Sequence, residues 1–264
     1  MTLTTERIAL GIEYDGSSYH GWQRQSHAAS VQSSLENVLS IVADHPVEVV
    51  CAGRTDTGVH ATEQVIHFDT RVVRSMRSWV LGCNRYLSKQ NISVLWAHEV
   101  AEDFHARFSA QRRRYRYVIF SRPVRPTFLK HSVSWERRTL DLSRMQQAAK
   151  TLVGEHDFNS FRTVKCQAKS AVKTIYYLNI SQRGEYFYID IEANSFLHHM
   201  VRNIAGVLMA IGSGEAEPEW IEEVLAARDR TKAGKTAPSG GLYLSHVTYD
   251  KKFNLPQINS QTII

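Results

Sequence analysis

Seven segments of this chain alternate apolar and polar residues with the two-residue period of a β-strand, and this pattern limits the possible folds most strongly. The segments are residues 8–14, 47–51, 64–68, 115–120, 172–181, 186–193 and 242–249. Four segments with a helical period lie between them, near residues 33–42, 141–152, 196–211 and 218–225. Strands and helices do not alternate strictly, which favours an α+β fold with a largely antiparallel sheet and helices on one face.

Local signals mark the expected ends of the helices. Ser33 and Glu36 have the spacing of a capping box, so the first helix should begin at Ser33. The second should begin near Asp141 and end at Gly154. The third should span residues 196–211, and Pro218 should open the fourth.

The length of 264 residues predicts two modest lobes. We expect an N-terminal α+β lobe over residues 1–107 and a C-terminal α+β lobe over residues 108–250. No segment rich in proline or glycine marks the boundary, so the lobes should share a sheet. Residues 251–264 are polar and without pattern, and we expect a flexible tail there.

The amino terminus, the apolar runs and the cysteines indicate a reducing compartment. Residues 1–7 are polar and carry Glu6, so they do not resemble a secretory signal. The longest apolar run, residues 204–211, is shorter than the roughly 20 residues that a membrane span requires. The three cysteines are far apart and have neither disulfide nor zinc spacing. A cytoplasmic protein is therefore expected.

Positive charge is concentrated in one third of the chain. Residues 70–135 contain 13 Lys or Arg and three acidic residues, a local charge of +10, whereas the rest contains 19 basic and 23 acidic residues, a charge of −4. Basic and aromatic residues are interleaved from Arg107 to Phe120. This pattern is typical both of a surface that binds a polyanion and of a solvated basic face, and charge alone does not distinguish them.

The densest local signal is the segment 52–61, Ala-Gly-Arg-Thr-Asp-Thr-Gly-Val-His-Ala, which lies between two predicted strands. Gly53 and Gly58 permit backbone conformations that other residues disfavour, and the threonines can form local hydrogen bonds. Such a loop can hold the Asp56 carboxylate in a fixed direction. From these residues alone, a structural turn and a catalytic loop both remain open.

Six blocks of the sequence resemble, in order, the blocks of the TruA family of tRNA pseudouridine synthases. The family signature GRTDxGVHA matches Gly53 to Ala61. The other blocks are residues 13–16 with 21–23, 103–110, 114–117, 198–203 and 241–244. The resemblance covers residues 8–249, and six ordered blocks are far more specific than one short motif.

The resemblance implies a two-lobed α+β pseudouridine synthase fold with a central, largely antiparallel sheet, flanking helices and an active-site cleft between the lobes. It also implies a homodimer that acts on uridines 38, 39 and 40 in the anticodon stem-loop of tRNA, without a metal or nucleotide cofactor. The isomerase reaction breaks the C1′–N1 bond, rotates the uracil and rejoins it through C5.

Three residues are the expected catalytic groups. Asp56 would act as the nucleophile at C1′ or as the base that removes a sugar proton, and the sequence leaves both open. Tyr115 matches the family's active-site tyrosine, and its ring would stack on uracil. Arg202 lies in an apolar helical segment and should share a face with His198 and His199, so it requires an anionic partner. Pairing with Asp56 would keep that carboxylate ionised.

The expected substrate contacts surround these groups. Arg54 would fill the gap left by an extracted nucleotide or contact phosphate. The other candidates are Tyr115, His60, Arg107, Arg112, Arg113, Arg114, His199 and Leu242. No metal is expected, because adjacent histidines on a helix point about 100° apart and no cysteine or carboxylate completes a ligand set.

Two other functions remain open. An RNA-binding module without catalysis would explain the basic segment but not the combination of Arg54, Asp56 and Arg202. A hydrolase such as a nucleosidase or glycosidase would need a second positioned acid, for which Glu63 is the only near candidate. A hydrolase would release free uracil, whereas an isomerase retains it.

Overall fold

The computed structural model describes residues 5–164 and 166–258, and the chain divides into two compact units. Unit 1 comprises residues 1–111 and 244–264, and unit 2 comprises residues 112–243. The first boundary is close to the expected one. Residues 244–249, which the sequence pattern assigned to the second lobe, belong instead to unit 1, because their strand lies beside a strand of that unit.

The described residues contain ten strands and five α-helices. The strands are β1 (Glu6–Tyr14), β2 (Val50–Cys51), β3 (His60–Thr70), β4 (Ile92–Val100), β5 (Ala110–Ser121), β6 (Ser134–Glu136), β7 (Gly154–Asp157), β8 (Val172–Arg183), β9 (Tyr186–Ala193) and β10 (Leu242–Tyr249). The helices are α1 (Val31–Ala43), α2 (Met76–Leu87), α3 (Leu142–Lys150), α4 (Met200–Gly212) and α5 (Trp220–Ala227).

Unit 1 is a mainly antiparallel sheet with two helices. β1 pairs with β3 on one side and β4 on the other, and β10 lies on the far side of β3. The short strand β2 also pairs with β3. α2 packs against β4, and its Trp79 ring meets Phe68 of β3 edge-on at 5.2 Å between centroids. Both rings are fully buried, so they lie in the core of this unit.

Unit 2 is a second, mainly antiparallel arrangement. β9 lies between β5 and β8, and β7 extends this order beside β8. β6 runs parallel to its neighbour, β5. Helix α3 packs against both β8 and α4. The predicted α+β class with largely antiparallel strands is therefore confirmed in each unit.

The start of α1 and the end of α3 differ from the sequence expectation. The capping box of α1 is formed by Ser30 and Ser33, one turn before the predicted start, because Glu36 is buried and accepts a hydrogen bond from the amide of Val49. α3 is capped by Asp141 as predicted, but it ends at Lys150. Gly154, with φ of +112°, begins β7 instead of ending the helix.

The third predicted helix begins four residues later than expected, at Met200. His199 precedes it with φ of +63°, a left-handed conformation that interrupts a helix. The apolar run 204–211 lies within this helix and is almost entirely buried. In the part of the chain that the structure describes, no helix is long and apolar enough to cross a membrane.

The start of the predicted tail is packed on unit 1. A short 3₁₀ helix spans Lys251–Phe253, and the buried Phe253 ring meets Phe104 edge-on at 5.0 Å. Lys252 forms an ion pair with Asp103 at 2.7 Å. Residues 251–253 are therefore not the flexible segment that composition suggested. Residues 259–264 of that tail, and residues 1–4, lie outside the described residues.

One buried histidine makes the stability of unit 1 depend on pH. His67 lies on β3, and its Nδ1 accepts a hydrogen bond from the amide of Ala106 at 3.1 Å. Burial, with the charges of Arg7 and His105, lowers the pKa of His67 to about 4, although Asp69 acts in the opposite direction. Protonation would remove the acceptor at Nδ1, so the folded chain holds this ring neutral.

We expect the free energy of unfolding to fall as the pH is lowered from about 6.5 to about 4, because the unfolded chain binds a proton at His67 in this range and the folded chain does not. The contribution is about 3 kcal/mol by pH 4 at roughly 1.4 kcal/mol per pKa unit, because the folded chain itself begins to bind the proton there. Urea unfolding of the wild type and of His67→Gln between pH 7 and pH 4 measures it. Glutamine can still accept the amide, so parallel stability curves for the two proteins would contradict the assignment.

Candidate active site

Asp56 lies in the loop that connects β2 to β3, residues 52–59. The amide of Val59 donates a hydrogen bond to the Asp56 carbonyl at 3.1 Å, which closes a tight turn. Gly58, with φ of +75°, supplies the left-handed conformation in that turn. Asp56 is half-buried, and Arg54 is exposed. The loop therefore presents its carboxylate at a defined position near the surface of unit 1.

The base of this loop is fixed to β3. The Gln64 side chain donates to the carbonyl of Gly53 at 2.6 Å, and its carbonyl oxygen accepts from the Gly53 amide at 3.4 Å. The amide of Ala52 donates to the carbonyl of Val65 at 2.8 Å. Gln64 is fully buried, so these bonds are protected from water.

The other side of the loop is held by residues 14–22, which we call the brace. The Trp22 amide donates to the Thr55 carbonyl at 2.9 Å. The Tyr14 and Thr55 hydroxyls are 2.8 Å apart and share a hydrogen bond. Thr55 and both aromatic side chains are buried. The residue before Asp56 is thus fixed through its backbone and its side chain.

Two glycines allow the brace to reach the loop. A Cβ on Gly16 would lie 2.0 Å from the Val59 carbonyl oxygen, and a Cβ on Gly21 would lie 2.8 Å from that of Thr55. Gly21 also has φ of +89°. No other residue fits at these contacts without a shift of backbone. Both glycines lie in the block of residues 13–16 and 21–23 that resembles the family, where each stands close to an aromatic residue in the sequence.

His60 supports the loop from its last residue. Its ring is only 3% exposed. Its Nδ1 accepts a hydrogen bond from the Gly16 amide at 3.1 Å and lies 3.0 Å from Asp15 Oδ1. Burial acts to raise the pKa of Asp15, but hydrogen bonds from Ser17 and the interaction with His60 outweigh it and lower that pKa. His60, predicted as a substrate contact, is instead buried as a support of the loop.

Arg54 and Arg107 lie on the same part of unit 1. Burial raises the pKa of the Cys51 thiol to about 12, and the charges of both arginines act to lower it. Cys51 is the residue from which the Asp56 loop starts. The two guanidinium groups therefore add positive charge around that loop.

Glu63, the candidate second acid of a hydrolase, is held by a histidine. Its carboxylate Oε2 is 2.7 Å from Nδ1 of His246 on β10. Glu63 is 5% exposed. This contact assigns the carboxylate a structural partner within unit 1.

Arg202 lies in the first turn of α4 in unit 2. Its Nε donates to the Ala237 carbonyl at 2.8 Å, and its own carbonyl accepts from the Ala237 amide at 3.1 Å. A Cβ on Gly206 would lie 1.9 Å from the Lys235 carbonyl oxygen. Gly206 therefore admits the segment that contains Lys235 and Ala237, and that segment fixes the arginine.

The two tyrosines of β5 lie on its buried side. Tyr115 meets Phe196 edge-on at 5.0 Å. Tyr117 is fully buried and donates to the Pro238 carbonyl at 2.8 Å. Burial is the main cause that raises the pKa of Tyr117, against the charge of Arg202. Tyr117 is thus a core residue.

His199 and Leu242 stand at the ends of elements of unit 2. His199 directly precedes α4, and its ring is 4.3 Å from that of His198. The two histidines are therefore not on the helical face of Arg202, contrary to the sequence expectation. Leu242 is buried where β10 begins.

The basic residues of β5 are divided between the two faces of the strand. Arg112 and Arg114 both pair with Glu192 of β9, at 3.1 and 2.7 Å. Arg113 points the other way, as Tyr115 does, and donates to the Asn194 carbonyl at 3.1 Å. Part of the charge counted along the sequence is therefore neutralised by β9, and the same arginines lower the pKa of Glu192 against the effect of its burial.

Known proteins match this chain over most of its length. The family model described as tRNA pseudouridine synthase matches residues 11–109 and 148–250. A chain of the solved Cbf5–Nop10–Gar1 complex is similar at a TM-score of 0.35 and 10% identity, over 90% of this chain and 48% of that one. That similarity is too weak to add to the assignment.

Curated relatives are much more similar. The protein named tRNA pseudouridine synthase A of Pseudomonas aeruginosa is 56% identical, over 95% of this chain and 88% of its own length. Those of Vibrio cholerae and Pseudoalteromonas atlantica are 55% and 54% identical, each over 96% of this chain and 95% of its own length. The chain belongs to the tRNA pseudouridine synthase family.

Proposed function

We propose that this chain isomerises uridine to pseudouridine in tRNA and that Asp56 is its essential carboxylate. The observation that carries the proposal is the way the Asp56 loop is held. Gln64 fixes the base of the loop, and the brace fixes Thr55 beside the carboxylate. A carboxylate that must reach one sugar carbon of a bound nucleotide needs such a fixed direction.

The chemistry requires few other groups. The C1′–N1 bond breaks, the uracil rotates, a C5–C1′ bond forms, C5 loses its proton and N1 gains one. Asp56 begins this sequence as the nucleophile at C1′ or as the base that takes a sugar proton. Nothing is oxidised or hydrolysed, so the proposal includes no metal and no cofactor.

Arg202 and Tyr115 complete the proposed catalytic set. We propose Arg202 as the positive charge of this set. Tyr115 stacks on the uracil during the reaction. Support for Arg202 comes from its position, because the bonds to Ala237 fix its backbone and its Nε.

The proposed substrate is the anticodon stem-loop of tRNA, at positions 38, 39 and 40, bound by a homodimer in the cytoplasm. Arg54 fills the gap left by the extracted uridine. The other proposed contacts are Arg107, Arg113, His199 and Leu242. Arg112 and Arg114 carry one positive charge more than Glu192 neutralises, so we propose that they bind phosphates away from the reacting uridine.

We expect Asp56→Asn to abolish pseudouridine formation and to retain affinity for tRNA, because the change removes the charge but little volume. The purified, chelator-treated protein is incubated with unmodified tRNA transcripts, and pseudouridine is mapped by carbodiimide-based primer extension. Asp44→Asn is the matched control, since Asp44 is exposed in a left-handed conformation that asparagine also adopts.

Turnover by Asp56→Asn at more than a few per cent of the wild-type rate would refute the role of Asp56. Binding of tRNA by the wild type without modification would instead favour an RNA-binding module. Loss of activity in the Asp44→Asn control would point to damage from the substitution type rather than from the position.

A substitution in the brace should act on the reaction through the loop. Gly21→Ala and Gly214→Ala both place a side chain at positive φ, +89° and +79°, which costs about 1 kcal/mol of stability. Only Gly21 contacts the Asp56 loop, since nothing lies within 4 Å of a Cβ at Gly214. We expect Gly21→Ala to lower kcat about 100-fold, as a displacement of roughly 1 Å does. Equal kcat values in the two folded variants would contradict the role of the brace.

A further inference from the structure

One large apolar side chain of unit 1, that of Phe108, is exposed on the side of β2 and β3, the two strands that the Asp56 loop connects. The Phe108 side chain is 77% exposed. Its ring stacks on that of His105, with centroids 4.4 Å apart and planes inclined by 29°. Phe108 belongs to the segment between β4 and β5, directly after Arg107, and the catalytic set does not include it.

The backbone around His105, on which the Phe108 ring stacks, is fixed by hydrogen bonds. The His105 Nδ1 lies 3.2 Å from the amides of both Arg107 and Phe108, which donate to it. The amide of Ser109 donates to the His105 carbonyl at 2.8 Å, and the Ser109 hydroxyl accepts from the His105 amide at 2.9 Å. These bonds close the backbone around His105. The exposed ring therefore has a fixed base.

A column of rings connects Phe108 to the core. The His105 ring is 4.9 Å from that of His67, and His67 meets the buried Phe104 edge-on at 5.9 Å. Burial is the main cause that lowers the pKa of both histidines, so the column is neutral near pH 7. His67 is paired with Val50 of β2, from which the chain continues into the Asp56 loop. Five residues lie between Val50 and Asp56, so the two are at most about 20 Å apart along an extended chain.

The surroundings of the ring fit a polyanion with flat bases. The Arg107 guanidinium lies 5.6 Å from the Phe108 ring centroid. Arg54 and Arg107 both act on Cys51, so positive charge continues from the ring toward the Asp56 loop. A rigid exposed ring next to arginine is the arrangement with which proteins stack unpaired bases. A protein partner would require a wider apolar patch, whereas Arg107 beside this ring is exposed and charged.

We propose that Phe108 is a positioning residue on which a base of the bound tRNA, outside the reacting uridine, stacks. The inference rests on the proposed function, since it takes tRNA as the substrate. The stack anchors the RNA on unit 1 while Arg107 binds the adjoining phosphate. No base identity is selected, because every base offers a flat face to the ring.

The test measures tRNA affinity by filter binding at several salt concentrations, in the full chain carrying Asp56→Asn to prevent turnover. We expect Phe108→Ala to weaken binding about 5- to 150-fold, as the loss of one base–ring stack does, without a change in the salt dependence. Phe108→Trp should bind as tightly as the parent. Phe108→Leu should resemble Phe108→Ala, because leucine is apolar but has no flat face.

Phe128→Ala is the matched control, since Phe128 is 98% exposed in unit 2. It should bind tRNA like the parent. Equal affinity of Phe108→Ala and the parent, or parent-like affinity of Phe108→Leu, would overturn the inference. A shift of Phe108→Ala to a smaller species in sedimentation would overturn it as well, in favour of a protein contact. If the parent, which carries only Asp56→Asn, bound no tRNA, the proposed function would be contradicted. This result can be distinguished from the outcomes above, in which the parent binds tRNA and only the Phe108 variants differ.

Discussion

The approach of the brace to the Asp56 loop is the constraint on which the rest of unit 1 depends. Gly16 and Gly21 lie so close to the loop carbonyls that no Cβ fits, and the Trp22 amide and Tyr14 hydroxyl bind Thr55. Each hydrogen bond contributes only about 1 kcal/mol to stability. Together they fix the direction of the Asp56 carboxylate, because loop residues on both sides of Asp56 are bonded to buried groups. The conformational entropy of the loop is thus lost on folding and not when substrate binds.

Unit 2 fixes its charged residue in the same way. Gly206 admits the segment that carries Lys235 and Ala237, and that segment holds Arg202 through its backbone and its side chain. In unit 1 the close contacts of Gly16 and Gly21 thus fix Asp56 in a short loop. In unit 2 the close contact of Gly206 fixes Arg202 at the start of α4. Glu63 is drawn into a buried contact with His246. Glu63 therefore has a structural partner, and Asp56 is the carboxylate that we propose for the chemistry.

Much of this arrangement could be predicted from the sequence, because alternation and motif are local properties. Six of the seven alternating segments became strands over most of their length, whereas only residues 50 and 51 of segment 47–51 did. Asp56 and Arg202 were identified from their motifs. β4 was missed along with β6 and β7, and the last two have only three or four residues, which show too little periodicity. α2 was missed because its buried stripe is narrow and contains only Trp79, Cys83 and Leu87. The burial of His60 and the pairing of Arg112 with Glu192, 80 residues away, depend on tertiary contacts that no local pattern encodes.

The central claim is that one carboxylate, fixed by the brace, isomerises uridine without releasing the base. Its most direct test is an analysis of both products after the wild type has reacted with tRNA whose uracil rings carry ¹³C. The account predicts that every lost uridine is recovered as pseudouridine in the tRNA, with unchanged mass and no labelled uracil in solution. Labelled free uracil in proportion to the uridine lost would contradict it, because it would show that water attacks the sugar and that the enzyme is a hydrolase.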